Sequence, residues 1–470
     1  MKAKKSSLSA NEDNNMKETT IAAIATPNAP GGIGIVRISG KDAIETADKI
    51  FRAVNGKPIT SSKGYRAYFG EVYDGNEKTD EAVCLVFRSP KSYTGEDVAE
   101  ISCHGGLYVT KRVLRAALNA GAVPAEAGEF TKRAFLNGKI DLAGSESVMA
   151  LISASGRQAA SAALNTLEGN LSRKIKECAD AIIGVCASLA AWVDYPDEDI
   201  EEISTDEMLN IFRKTKTELD AIIRRYDCGR AVTDGVDSVI VGRPNVGKST
   251  LMNLLTGFER SIVTDIAGTT RDVIEERIVL GDIILRIADT AGIHETENLV
   301  ENIGVDMAKR RLERADLILA VFDGSAPLND DDMQIIRQCK GKKCVAILNK
   351  SDLPEKADRE TLENYFPKLV ELSAVSGDGE RELEEAIADI LSANEFDPNA
   401  ACLTSERQRS CCVSASERLG EAIAALENGV TYDAVNVCAD CAIDSLLELT
   451  GEKASAAVVD EVFSRFCVGK

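Results

Sequence analysis

Histidine is almost absent from this chain. Of its 470 residues only His104 and His294 carry an imidazole, so the commonest protein ligand for metals is nearly missing. The cysteines do not make up the deficit. There are 13, an odd count, and the single CxxC formed by Cys438 and Cys441 has no second pair or His cluster to complete a zinc site. Both cysteines fit an apolar helical face with Val435 and Leu449, which predicts core packing, and the odd count in a long chain predicts a reducing compartment. Long hydrophobic runs are missing too. No window approaches a membrane span, and the opening MKAKKSSLSANEDNN lacks the apolar core of a signal peptide. These absences predict a cytoplasmic protein with no membrane partner and a disordered tail over residues 1–19. Positive charge is also in short supply. The net charge of −21 argues against the bulk surface holding nucleic acid by itself. The charge is uneven, however: residues 1–140 hold 20 Lys/Arg against 16 Asp/Glu, a net of +4, so the rest carries −25. An RNA substrate would have to be held by the N-terminal region or by a basic partner.

The length exceeds what one core accommodates and suggests roughly two to four domains. Residues 20–24 and 33–38 read as strands, as do 82–87, and they alternate with helical stretches such as 106–120, the pattern of an α+β region over 20–137. The pattern then turns helical over 138–234. Leu171, Ile175, Cys178, Ile182, Val185, Leu189 and Trp192 recur at steps of four and three, a heptad seam with the only tryptophan as a core position. An acidic stretch over 194–207, broken by Pro196, predicts a solvated connection between two long helices. Over 235–395 short apolar runs (238–241, 283–287, 317–322, 344–348) alternate with amphipathic helices, the rhythm of a doubly wound parallel sheet. Residues 396–470 are helical again. Helices on both sides of an α/β unit predict an insertion. The expected fold class is therefore multidomain α/β and α: an N-terminal α+β domain, a discontinuous helical domain and an inserted P-loop domain.

That insertion carries the chemistry. Gly242-Arg243-Pro244-Asn245-Val246-Gly247-Lys248-Ser249 follows a strand and opens a helix that begins with Thr250. Glycines let the backbone N–H groups curl toward phosphates at a helix N-terminus that already favours anions. Lys248 is predicted to reach the β and γ phosphates, and the Ser249 hydroxyl to join a Mg²⁺ shell. Asp289-Thr290-Ala291-Gly292 ends the second strand-like run, placing an acid by the metal and a glycine near the γ-phosphate. Asn349-Lys350-Ser351-Asp352 ends the fourth; Asp352 can accept two hydrogen bonds from guanine that adenine cannot offer, at about 1–3 kcal/mol for each misplaced polar group. Ser373-Ala374-Val375 follows at the spacing of a base-supporting loop. The segment Thr264-Asp265-Ile266-Ala267-Gly268-Thr269-Thr270 supplies the first switch, with Thr270 as the second Mg²⁺-binding hydroxyl. These motifs predict GTP, not ATP, as the ligand. One part is missing: the position after the DxxG motif, where a Ras-type enzyme has a water-orienting glutamine, is Ile293, which cannot do that work.

Together with both ends of the chain, these residues closely resemble the MnmE (TrmE) family of tRNA-modifying GTPases. Gly31–Gly40 (GGIGIVRISG), Ser92–Glu100 (SYTGEDVAE), Cys103–Gly106 (CHGG), Gly128–Leu142 (GEFTKRAFLNGKIDL) and the terminal Phe466-Cys467-Val468-Gly469-Lys470 are similar to family motifs, and the likeness runs from about Thr20 to Lys470. Asn28-Ala29-Pro30, Gln408 and the extra tail depart from the family pattern. The resemblance implies a folate-binding, dimerising N-terminal domain over 20–137 and a homodimer. It further implies a flavoprotein partner, MnmG, carrying FAD and using NADH. The pair would add a carboxymethylaminomethyl or aminomethyl group at C5 of the wobble uridine, the one-carbon unit coming from 5,10-methylenetetrahydrofolate (5-formyltetrahydrofolate serving as an analogue), with tRNA held largely by the partner. Arg37, Glu100, Lys139 and Lys470 stand at the implied folate contacts, where cations suit glutamyl carboxylates and an acid suits the pterin's donors. Cys467 is a candidate for chemistry beside the folate or for packing the C-terminus. The resemblance also implies a K⁺ ion held by the Asn245 side chain and by loop carbonyls at Thr264, Ile266 and Thr269, a water oriented by Glu301, and two G domains meeting face to face. Competing readings are a ribosome-assembly GTPase of the Era or EngA type, which should carry a basic RNA-binding domain or a second G domain, a dynamin-like membrane remodeller, and a GTP-binding scaffold without turnover.

Overall fold

The computed structural model describes residues 19–194, 204–233, 235–257, 275–288, 312, 315–391 and 396–470; within these, the side chains of 192–194, 275–276 and 288 are left out. Residues 1–18 of the expected tail, 195–203 of the acidic connection, the Trp192 side chain, the loop Thr264–Thr270, the segment Asp289–Gly292, Ile293 and Glu301 lie outside the described residues; the second long helix begins at Thr205, inside the stretch expected to be a connection. The chain forms two compact units, one from Met1–Met149, Leu167–Thr217 and Ser410–Lys470, the other from Ala150–Thr166 and Glu218–Arg409.

The first unit contains a seven-stranded sheet. Its strands are β1 (Ile21–Ile24), β2 (Ile33–Ser39), β3 (Phe51–Ala53), β4 (Arg66–Asp74), β5 (Glu77–Phe87), β6 (Val98–His104) and β7 (Val123–Pro124), in the order β3-β4-β5-β6-β2-β1-β7. All neighbours are antiparallel except β1 and β7. Alternation does the sorting here, because successive side chains in a strand point to opposite faces. Val36 and Ile38 of β2 and Ala99 and Ile101 of β6 are buried in a core with Ile44, Ala47, Val113 and Ala117 of the helices Ala43–Ile50 and Leu107–Asn119. The intervening residues Arg37 and Glu100 therefore share the other face, and they are direct cross-strand partners.

The heptad seam is a helix, Asn170–Asp194, with Leu171, Ile175, Cys178, Ile182, Val185 and Leu189 all buried. It packs against the helix Tyr432–Thr450. The expectation that Cys438 and Cys441 pack in the core is overturned. The buried stripe of that helix runs through Val435, Ala439, Ala442, Leu446 and Leu449. Each cysteine precedes a stripe residue by one position, about 100° around the helix, so Cys438 is half-buried and Cys441 exposed.

The second unit contains β8 (Val236–Val241), β9 (Glu275–Leu280), β10 (Ile283–Ala288), β11 (Leu317–Asp323), β12 (Cys344–Asn349) and β13 (Lys368–Leu372), in the order β13-β12-β11-β8-β10-β9. β9 is antiparallel to β10 and every other pairing is parallel. The central strands are buried on both faces, as a parallel sheet covered by helices requires. Leu319, Val321, Val345 and Ile347 meet Leu251, Leu255, Leu383 and Ile387 on one side; Ile318, Ala320, Phe322 and Ala346 meet Ile336 and Leu362 on the other. This is the doubly wound sheet, and it sets the carboxyl ends of β8, β11 and β12 side by side, where ligands of such sheets bind. Among the described residues no helix is long and apolar enough to cross a membrane.

Candidate functional site

Three loops leave the carboxyl edge of the second sheet together. The first runs from β8 through Gly242–Gly247 into the helix Lys248–Gly257. Gly247 has a φ of +99°, and a Cβ there would collide with the side-chain nitrogen of Asn349, so this turn admits glycine alone. Asn245 also sits in the left-handed region, at +65°, which asparagine tolerates better than most residues. The Lys248 Nζ donates to the carbonyls of Gly242 and Arg243, both at 2.8 Å. These are neutral acceptors, and burial draws the Lys248 ammonium below its usual range. A half-buried cation that, among the described residues, meets only neutral carbonyls is suited to a bound anion. Val246 is buried, whereas Ser249 is exposed at the helix start beside the half-buried Thr250.

The second loop follows β12. Asn349 is 3% exposed and spends its whole amide on the other two loops: Nδ2 donates to the Val246 carbonyl at 2.8 Å, and Oδ1 accepts from the Ala374 N–H at 3.0 Å. Asp352 is held by the third loop, its Oδ1 accepting from the Ser373 hydroxyl at 2.7 Å. Val375, two residues after Ser373, is 83% exposed. Hydrogen bonds thus link the loop holding Asn245–Thr250, the Asn349–Asp352 segment and Ser373–Val375 at one edge of the sheet. The remaining nucleotide candidates, Thr264–Thr270, Asp289–Gly292 and Glu301, lie outside the described residues.

Asp323 went unnoticed in the sequence. It ends β11, and its Oδ2 accepts from the Lys350 Nζ at 2.7 Å while Oδ1 accepts from the Ser325 hydroxyl at 2.6 Å. Burial works to raise this carboxyl, but the bonds from Lys350 and Ser325 outweigh it and hold it below its usual range. The pair keeps Lys350, whose φ of +69° is rare for a non-glycine residue, beside the base-side loops. A lone acid at the end of an apolar strand was the available signal.

The first unit holds the other set of candidates. Arg37 Nε donates to Glu100 Oε1 at 2.8 Å and Nη1 to the Gly469 carbonyl at 3.3 Å. Its guanidinium lies over Tyr93 and Phe130, at 5.3 and 5.5 Å from the ring centroids. The C-terminal segment is docked here by its backbone. Val468 bridges Ala127, the Phe130 N–H donates to the Lys470 carbonyl at 3.2 Å, and Gly469, at φ +98°, passes so close to Ile24 that a Cβ would strike its carbonyl. Cys467 is exposed, and its carbonyl accepts from the Gly128 N–H at 3.4 Å. Lys139 is exposed and donates to the Pro90 carbonyl at 3.1 Å. Arg133, absent from the sequence-derived candidates, is the largest fully buried side chain among the described residues. It gathers Glu96, Glu129 and Thr19 by hydrogen bonds of 2.8–3.2 Å, tying the loop before β6 to the helix Glu129–Leu136.

Comparison with known proteins identifies two family models along the chain. A family model of the GTP-binding protein TrmE N-terminus matches residues 20–139, and one of the MnmE helical domain matches residues 142–467. The tRNA modification GTPase MnmE of Acetivibrio thermocellus is 40% identical over 459 residues, covering 97% of this chain and 100% of that protein. The protein of the same name from Alkaliphilus metalliredigens is 39% identical over 458 residues, covering 96% and 99%.

Proposed function

The chain belongs to the MnmE family of tRNA modification GTPases, and from that premise we propose that its second unit hydrolyses GTP to drive a tRNA modification centred on the first. The single observation that carries the nucleotide reading is the Asn349 clasp, which joins a lysine-bearing phosphate loop to a base-side carboxylate. Bound GTP supplies the phosphoanhydride that is cleaved. The protein's part is to receive it. The backbone N–H groups at the start of the helix Lys248–Gly257 and the Lys248 amine face the phosphates, and Ser249 with Thr270 would hold Mg²⁺. Asp352, fixed by Ser373, accepts from the N1–H and exocyclic amine of guanine, with Ala374 and Val375 bounding the base.

In this proposal Asn245 and the loop from Thr264 to Thr269 would hold a K⁺ ion, which would supply positive charge beside the phosphates, and Glu301 would replace the missing glutamine by orienting water. Turnover in KCl should greatly exceed that in NaCl, and Glu301→Ala should lose most of it while still binding GTP. Equal rates in the two salts would remove the K⁺ mechanism.

For the first unit we propose a tetrahydrofolate site built on Arg37, Glu100, Lys139 and Lys470. An arginine already oriented by a carboxylate and two rings, beside a docked C-terminus, is the support for it. The one-carbon unit would pass to C5 of the wobble uridine in a homodimer working with MnmG, which would bring FAD and NADH and hold much of the tRNA, as the chain's −21 charge favours.

A further inference from the structure

A buried carboxylate outside the sequence motifs stands behind the phosphate loop. Asp332 is 1% exposed and lies in the first turn of the helix Asp330–Cys339. It closes a capping box: its N–H donates to the Asn329 side chain at 3.0 Å, and its Oδ2 accepts the Asn329 N–H at 3.1 Å. The same Oδ2 lies 3.4 Å from the Nε of Arg243, inside the phosphate loop. Asp332 Oδ1 and Arg243 Nε have no hydrogen-bond partner among the described residues. A helix cap needs no such burial of charge, and an acid sunk this deep is costly unless a cation answers it. Arg243 is that cation. Its backbone carbonyl is in turn one of the two that receive the Lys248 amine.

We propose that Asp332 is a positioning residue for GTP binding: by holding Arg243 it fixes the carbonyl that aims Lys248 at the phosphates. Asp332 touches neither nucleotide nor metal in this account, and the account rests on the phosphate-loop reading of Gly242–Ser249.

The test measures GTP and GDP affinity, turnover and thermal unfolding in the full-length protein. Asp332→Asn keeps the shape of the side chain and an acceptor for the Asn329 N–H but removes the charge facing Arg243. It should weaken nucleotide binding by roughly tenfold, about 1.4 kcal/mol. Arg243→Ala should do the same, and the double variant should be no worse than the poorer single one, because both remove one link. Asn329→Ala loosens the same helix start and should lower the unfolding temperature with affinity unchanged. Wild-type affinity in Asp332→Asn, additive losses in the double variant, or an equal affinity loss in Asn329→Ala would each overturn the proposal. Lys248→Ala separates the two levels. If it binds and turns over GTP normally, the phosphate-loop reading itself fails; if it is inactive while Asp332→Asn is silent, only the positioning role does.

Discussion

Asn349 donates its side-chain Nδ2 to the Val246 carbonyl at 2.8 Å, across 103 residues of sequence. Its other amide atom is committed to the Ala374 N–H, so one buried side chain fastens the phosphate loop to the base-side loop. Both polarities are needed. Asn349→Asp should set an anionic oxygen against the Val246 carbonyl and cost about 2–3 kcal/mol, the penalty of buried polar groups left unmatched. The expected result is a lower unfolding temperature and a loss of at least roughly tenfold in affinity for GTP and GDP alike, read by calorimetry. Asn349→Asp with unchanged nucleotide affinity would show that the clasp is dispensable.

In the proposed site base selection falls to Asp352, whose carboxylate is oriented by the Ser373 hydroxyl at 2.7 Å. Asp352→Asn replaces one acceptor by a donor, so preference should move from guanine toward xanthine nucleotides. Competition binding with XTP and GTP reads the change directly. A variant that still preferred GTP by a wide margin would place base recognition elsewhere.

The docked C-terminus yields a prediction for the first unit. Arg37 donates to the Gly469 carbonyl, so removing the last four residues takes away both that acceptor and Lys470. Binding of 5-formyltetrahydrofolate, followed by calorimetry, should weaken by roughly tenfold or more, the scale of a lost bond to a charged group. Undiminished affinity in the truncated protein would take Lys470 out of the site.

Periodic and local signals are readable in the sequence. The seam from Leu171 to Leu189 needs only the 3.6-residue turn, and the strands β8, β10, β11 and β12 declare themselves as apolar runs between turn residues. The phosphate loop is equally local: its glycines and lysine lie within eight residues. What stayed hidden depends on pairs far apart in the chain. Asp323 with Lys350, Arg243 with Asp332, and Arg133 with Glu96 and Thr19 are set by how strands and loops are brought together, and no spacing rule announces them. Cys438 and Cys441 failed for a subtler reason. An apolar pattern on a helix is ambiguous by one position when small residues occupy the neighbouring places, and Ala439 and Ala442 took the buried stripe.

The proposed function is modification of the tRNA wobble uridine by this GTPase. The most direct measurement is nucleoside analysis of tRNA from cells lacking the chain, complemented either with the wild-type protein or with Lys248→Ala. The account predicts that the C5 substituent of the wobble uridine disappears without the protein, returns with the wild type and stays absent with Lys248→Ala. Intact C5 modification in cells lacking the chain would contradict it.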